Sequence, residues 1–207
     1  DFRELIARDD IDTVMISTPD HWHTQISMMA MLAGKDVQCE KPTLTIDEGK
    51  ILIQTIRKHR RVFQTSTEDR SLPMYHRMAE LVRNGRIGKL QRIEVILPQQ
   101  PTKPGKPEPQ PVPPELDYDM WLGPAPKRPF NKNRFHYTWR FFWDYGNTEL
   151  GNQGVHMIDV AMWGIGGSSA APAWSCSRSM AAAGSVWPSL RPLTWPPFER
   201  LTRARRS

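Results

Sequence analysis

Residues 12–42, "DTVMISTPDHWHTQISMMAMLAGKDVQCEKP", decide the fold. "DTVMIST" is an apolar, β-branched run that stops at the turn-forming "PDHWH", as a strand does at its carboxyl end. "TQISMMAMLAGK" then repeats apolar residues at helical spacing and closes at Gly34, a fitting residue just past a helix end. "DVQCE" reads as a second short strand. Outward from this unit, "FRELIARDDI" is a short helix, and "TIDEGKILIQTIRKHRR" a longer one opened by Thr45, with Glu48 three residues on at capping-box spacing. "VFQTST" supplies a third strand. Strands alternating with helices through short joins predict an α/β fold, a partial Rossmann-type parallel sheet with right-handed crossovers. Ligands of such sheets bind beyond the carboxyl ends of the strands. "STPDHWH" and "EKP" both fall there, one strand–helix–strand step apart, so Lys41 is expected to point into a crevice.

Each motif alone has a plainer reading. "EKP" fits a solvated turn, and "HWH" fits an ordinary loop or half of a zinc site. Further zinc ligands are wanting, because His59, His76 and His136 are scattered, so no metal is expected. Cys39 alternates with Val37 and reads as a small buried apolar residue. A third constellation is "ELGNQGVHMIDVAMWGIGG", where glycines 151 and 154 open a helix and Asn152, His156 and Asp159 recur at i, i+4 and i+7, hence on one face. A histidine near a helix N-terminus is held away from its charged form and suits a general base; it equally suits a capping or core histidine.

The order of "STPDHWH", "EKP" and, a hundred residues later, "GNQGVHMID" closely resembles the Gfo/Idh/MocA family of nicotinamide-dependent oxidoreductases. "LDYDMWLGPAP" and "DYGNTELGNQGVHMIDVAMWGI" add to the likeness, which covers residues 1–167. The resemblance implies NAD or NADP as cofactor, with the nicotinamide end lined by Ser17, Thr18, Pro19, Asp20, His23, Glu40 and Lys41. It implies a cis Lys41–Pro42 bond that aims the lysine inward, and His156 as acid/base. The aspartate common four residues before that histidine is Asn152 here, which can orient a substrate but cannot relay a proton. Catalysis is thus expected from Lys41, stabilising a developing alkoxide, and His156, taking its proton. Asn152 and His156, with Trp139 and Arg140 of "HYTWRFFW", are the candidate substrate residues; an aromatic cluster of this kind also suits a core.

The Gly-rich phosphate loop GxGxxG, expected at the first strand–helix turn of such a domain, does not occur in the chain. Residues 1–68 therefore read as the C-terminal half of a dinucleotide-binding domain. The resemblance implies that residues 69–167 open a substrate and oligomerisation domain, an incomplete α+β unit with a mainly antiparallel sheet, and "QRIEVILP" reads as its first strand. "PQQPTKPGKPEPQPVPP" within it is too rich in proline for a helix or central strand and reads as an extended excursion.

Residues 168–207 differ in kind, with six arginines, one acid and no Lys, Asp, Asn, Gln, His, Ile or Tyr. A basic arm, a disordered extension and a GC-rich gene read out of frame all fit that composition; the last best explains the residues it lacks. The formal charge of +6 resides almost wholly in this segment, so no nucleic-acid partner is expected. No apolar run is long enough for a membrane span, no signal peptide is visible, and two cysteines give no disulfide framework, so a cytoplasmic protein is expected. The expected function is hydride transfer between a nicotinamide cofactor and a hydroxyl of a sugar, polyol or related small molecule, in a homo-oligomer when intact. A nicotinamide-dependent glycosidase is the alternative chemistry, and a non-catalytic truncated product the alternative class.

Overall fold

The computed structural model describes residues 1–97, 105, 108–166 and 174–175. Helix α1 (Phe2–Ile6) is capped by the Asp1 carboxylate, which accepts from Arg3 N–H at 2.9 Å. It leads into strand β1 (Thr13–Ile16), helix α2 (Asp20–Leu32), strand β2 (Asp36–Cys39), helix α3 (Ile46–His59) and strand β3 (Phe63–Thr65). The three strands pair in parallel in the order β1-β2-β3, with Val14 opposite Val37 and Val37 opposite Phe63. This is the sheet read from residues 12–42.

The local signals act as expected. Gly34 takes a positive φ of 83° after α2. Thr45 and Glu48 form a reciprocal capping box, Glu48 N–H donating to Thr45 Oγ1 at 3.1 Å and Thr45 N–H to Glu48 Oε2 at 3.2 Å. The same carboxylate accepts from Leu44 N–H at 2.9 Å and is buried, so the cap also fixes the turn that follows Lys41. Burial pushes the Glu48 carboxyl above its ordinary value, against these bonds to the charged form.

Helices α1, α2 and α3 contribute Ile6, Ile26, Ala30, Met31 and Leu52 to one core with Val14, Ile16, Val37 and Cys39 of the sheet. Full burial of a large apolar side chain such as Met31 is worth about 1.5–3 kcal/mol, so this single cluster anchors the sheet to its helices. The burial alternates along β1, where Val14 and Ile16 are inside and Met15 is 66% exposed. Parallel sheets ordinarily bury both faces. Among the described residues this one buries a single face, and β1 has a strand neighbour on one side only.

Beyond the sheet, a 3-10 turn (Glu68–Ser71) precedes helix α4 (Pro73–Arg83), which packs along helix α6 (Val155–Ile165). Arg70 ties the turn to α6, forming a bidentate pair with Asp159 at 2.6 and 2.8 Å and lying over the Trp163 ring. Strand β4 (Ile93–Glu94) is two residues long, much shorter than the run "QRIEVILP" predicts. It pairs in parallel with strand β5 (Trp174–Ser175), whereas the sequence led us to expect mainly antiparallel strands; among the described residues this sheet has these two strands. This pairing carries the second sheet past residue 167, because backbone donors and acceptors of β4 require a partner wherever the chain supplies one. The rest of segment 168–207 lies outside the described residues.

Short helix α5 (Tyr118–Leu122), capped by Asp117, docks the second part onto the first. The Trp121 carbonyl accepts from the Trp22 indole at 3.1 Å and stands 2.8 Å from His21 Nε2. Gly123 fits against the Trp22 ring, where a Cβ would lie only 1.9 Å from the nearest ring atom. Tyr145 is fully buried among Trp121, Phe142 and Leu122. The aromatic cluster thus supplies the core of the second part and its seam with α2.

Candidate active site

At the carboxyl ends of β1 and β2 lies a cleft of about 220 Å³. Thr18, Asp20 and His23 enter it from the β1–α2 junction, and Glu40 and Lys41 from the end of β2. The opposite wall is Trp139 and Arg140 from a 3-10 turn (His136–Phe141), with Thr148, Gly151 and Asn152. Gly151 and Asn152 belong to a π-helical turn (Leu150–Gly154) that leads directly into α6.

Lys41 spans the cleft. Its ammonium donates to the Asn152 carbonyl at 2.7 Å and lies 3.5 Å from that of Gly151. The Lys41–Pro42 peptide is cis, as the family resemblance implies. Gly151 is required where it stands, since a Cβ there would lie 2.4 Å from Asn147 Cβ and 3.2 Å from Pro42 Cγ. The close approach of the π-turn to the Lys41–Pro42 loop therefore depends on the missing side chain. Asn147 ties the same seam, donating its amide to Thr43 O at 3.2 Å and its backbone N–H to Asp20 Oδ2 at 3.3 Å.

His23 is 3% exposed, with Nε2 2.7 Å from Thr18 O and Nδ1 2.7 Å from Pro42 O. Carbonyl oxygens only accept, so both contacts are hydrogen bonds together only when the ring carries two protons. The ring braces the "STP" loop to the "EKP" loop. His21, the other histidine of "HWH", faces the Trp121 carbonyl, and burial holds it below the ordinary histidine range. Each "HWH" imidazole thus faces backbone carbonyls of a different segment.

Asp20 is 7% exposed, and burial pushes its carboxyl up to about 6, against the opposing pull of His23, the Asn147 N–H, Lys41 and Arg140. Cys39 is buried beneath this region with its thiol pushed up to about 11 by burial, so it acts as the small core residue expected.

Of the sequence candidates, Thr18, Asp20, His23, Glu40, Lys41, Trp139, Arg140 and Asn152 line one cleft. Ser17 and Pro19 sit on the same loop without lining it. His156 is buried, with Nε2 3.3 Å from the Glu68 carboxylate and Nδ1 unpartnered, and is not among the lining residues. Of Asn152, His156 and Asp159, Asn152 lines the cleft and the other two do not. The π-turn takes more residues per turn than an α-helix; the Asn152 backbone carbonyl accepts from Lys41, while the His156 and Asp159 side chains lie against Glu68 and Arg70. Thr148 was missed by sequence reasoning, and Gly151 was read only as opening a helix. Thr148 holds a φ of +58°, a rare state for a β-branched residue, and such strain concentrates at functional sites.

Two family models match. One, described as "Oxidoreductase family, NAD-binding Rossmann fold" (GFO_IDH_MocA), covers residues 1–67. The other, "Oxidoreductase family, C-terminal alpha/beta domain" (GFO_IDH_MocA_C2), covers residues 103–175. Levoglucosan dehydrogenase of Pseudarthrobacter phenanthrenivorans is 26% identical over 191 residues, 89% of this chain and 42% of that protein. D-xylose 1-dehydrogenase (NADP(+)) of Hypocrea jecorina is 33% identical over 92 residues, 44% of this chain and 24% of that protein. Both relatives are thus covered over less than half of their length. A crystal structure of an oxidoreductase domain protein from Kribbella flavida shares the fold, with a TM-score of 0.58 and 24% identity, covering 80% of this chain and 38% of that one.

Proposed function

This chain belongs to the Gfo/Idh/MocA oxidoreductase family, and we propose that the protein transfers a hydride between NAD or NADP and a hydroxyl of a carbohydrate-like small molecule. The observation that carries this reading is the Lys41 ammonium, held at the strand ends by the π-turn carbonyls inside a cleft of about 220 Å³. Its residues fit a nicotinamide. The Thr18 hydroxyl is buried without a partner on a residue that lines the cleft, and the cleft occupies the ligand position of an open α/β sheet. The relatives' sugar dehydrogenase activities support a carbohydrate-like substrate for this protein too.

When bound, the nicotinamide ring accepts the hydride. Lys41 holds the substrate oxygen and stabilises the negative charge that grows on it as the carbon gives up hydride. The Asn152 and Gly151 carbonyls fix the ammonium in place, so it need not be ordered at the moment of reaction. His156, two residues past the π-turn and outside the cleft lining, is the acid/base of this reading, with Nε2 3.3 Å from Glu68. Asn152 in place of a carboxylate positions the substrate and leaves proton transfer to the imidazole. We also propose the division into a dinucleotide-binding unit over 1–68 and a substrate unit from 69, and a homo-oligomeric cytoplasmic enzyme. No helix among the described residues is long and apolar enough to cross a membrane.

The test is turnover by the full-length protein with NAD and NADP against a panel of sugars and polyols, followed by Lys41→Ala. That change is expected to lower the hydride-transfer rate about 100-fold or more while dinucleotide affinity holds, as for loss of one preorganised charge-stabilising group. Undiminished turnover removes Lys41 from the mechanism. Release of free sugar from a glycoside, without net cofactor reduction, marks the glycosidase chemistry instead.

A further inference from the structure

Arg140 is the unabsorbed group in the cleft. Three other partly shielded arginines find acceptors nearby: Arg70 in Asp159, Arg128 in Asp144, and Arg134 in the Pro129 carbonyl. Arg140 also lies partly buried, yet among the described residues its guanidinium has no hydrogen-bond or ion-pair partner. Its Nε is sealed from solvent without an acceptor. What holds it is aromatic: the guanidinium carbon lies 3.7 Å from the Tyr137 ring centroid and 5.3 Å from that of Trp139. Stacking fixes the plane of the fork and leaves its donors free. A planar donor fork without an acceptor, fixed in the wall of a binding cleft, matches a ligand carboxylate, which accepts two parallel N–H bonds.

The arrangement of charge agrees. The acids of the cleft, Asp20 and Glu40, come from the sheet-end loops, whereas Arg140 lies on the wall supplied by the second domain. Of those acids, Asp20 already accepts from the Asn147 N–H, and neither lies within ion-pair distance of Arg140. A ligand anion on Arg140 would stand across the cleft from the carboxylates, with its hydroxyl-bearing carbons toward Lys41.

Resting on the oxidoreductase reading, we propose that the substrate is an acidic carbohydrate, an aldonic or uronic acid, whose carboxylate is gripped by Arg140 while a hydroxyl on its carbon chain is presented to Lys41. The carboxylate is an anchor and takes no part in the electron balance. A secondary alcohol becomes a ketone as its C–H pair leaves as hydride to the oxidised nicotinamide cofactor and its O–H proton passes to the protein base.

The experiment compares D-gluconate and D-glucuronate with D-glucose, D-xylose and myo-inositol, using the full-length protein and both cofactors. The acids are expected to show KM values lower than the neutral compounds by about tenfold or more, the usual effect of a charge-assisted bond. Arg140→Lys, which keeps the charge but loses the fork, should raise KM for the acids by about tenfold, and Arg140→Gln by about 100-fold, with cofactor KM unmoved. Thermal melting checks that the variants fold, and the wild-type comparison stands without them. Acids and neutral sugars turned over with equal KM would overturn this inference and leave the oxidoreductase reading intact. A sugar phosphate preferred over the carboxylates, or cofactor KM rising in Arg140→Gln, would also overturn it. No turnover of any compound with either cofactor would bring down the underlying reading and this inference with it.

Discussion

Replacing Asp20 by asparagine tests how the cleft treats its buried charge. Asp20 is 7% exposed, and its carboxyl is raised from 3.8 to about 6 because burial outweighs the opposing pull of His23, the Asn147 N–H, Lys41 and Arg140. A carboxyl raised on folding contributes stability that is fully present below its unfolded value of 3.8. That contribution is lost as pH rises through about 6, since the folded protein must then hold the ionised form. Two pH units at about 1.36 kcal/mol each give a contribution of roughly 3 kcal/mol that wild type loses across this window. Asparagine keeps an oxygen for the Asn147 N–H and carries no charge. The Asp20→Asn protein should therefore match wild type near pH 4 and exceed it by ~1–3 kcal/mol at pH 7. The assay is urea unfolding of both full-length proteins from pH 4 to pH 7.5, read as the difference between them. A difference that stays flat, or an asparagine variant that is weaker at pH 7, would refute the reasoning by showing that the neighbouring cations outweigh burial.

Gly151→Ala should destabilise by about 1–3 kcal/mol, the range for overpacking, because its methyl meets Asn147 and Pro42; a melting temperature equal to wild type would contradict the close approach. Thr148→Gly removes a β-branched residue from φ +58° and trades about 1–2 kcal/mol of strain for up to about 1 kcal/mol of backbone entropy. Its expected stability is equal to wild type or up to ~1 kcal/mol higher by denaturant titration, and a loss would mean that the side chain earns its place by contact. His23→Ala leaves the Thr18 and Pro42 carbonyls unpaired and should cost ~2 kcal/mol or more, with faster amide exchange in both loops; protection confined to one loop would show that the brace has a single arm.

The sheet was legible because its signals are local. Gly34, the Thr45–Glu48 box and the alternation of Val37 with Cys39 each act within a few residues, and each stands in the structure as the pattern implies. Lys41 could be placed because a strand's carboxyl end is fixed by the strand itself. The far wall could not be read in the same way. Asp20 meets Asn147 across 127 residues, and no periodicity reports such a pairing. Helical spacing put Asn152 with His156, and no residue pattern announced the π-turn in which Asn152 stands. Thr148 was invisible for a related reason, since threonine is a poor candidate for a left-handed backbone and nothing in "GNTELGN" marks it. Strand β4 shrank to two residues because a strand lasts only as long as a neighbour pairs with it.

The one-sided sheet bears on how residues 1–207 behave when handled by themselves. Among the described residues strand β1 offers a row of backbone donors and acceptors along one edge, and Met15 stands 66% exposed beside it. Such an edge is a template for another chain's strand, and nothing among Thr13–Ile16 blunts it, there being neither a lysine nor a proline in the run. Concentrating residues 1–207 by themselves should therefore favour self-association through this strand over a clean monomer. Met15→Lys, which sets a charge at this exposed position and leaves the Val14 and Ile16 contacts alone, is the substitution to make before purification.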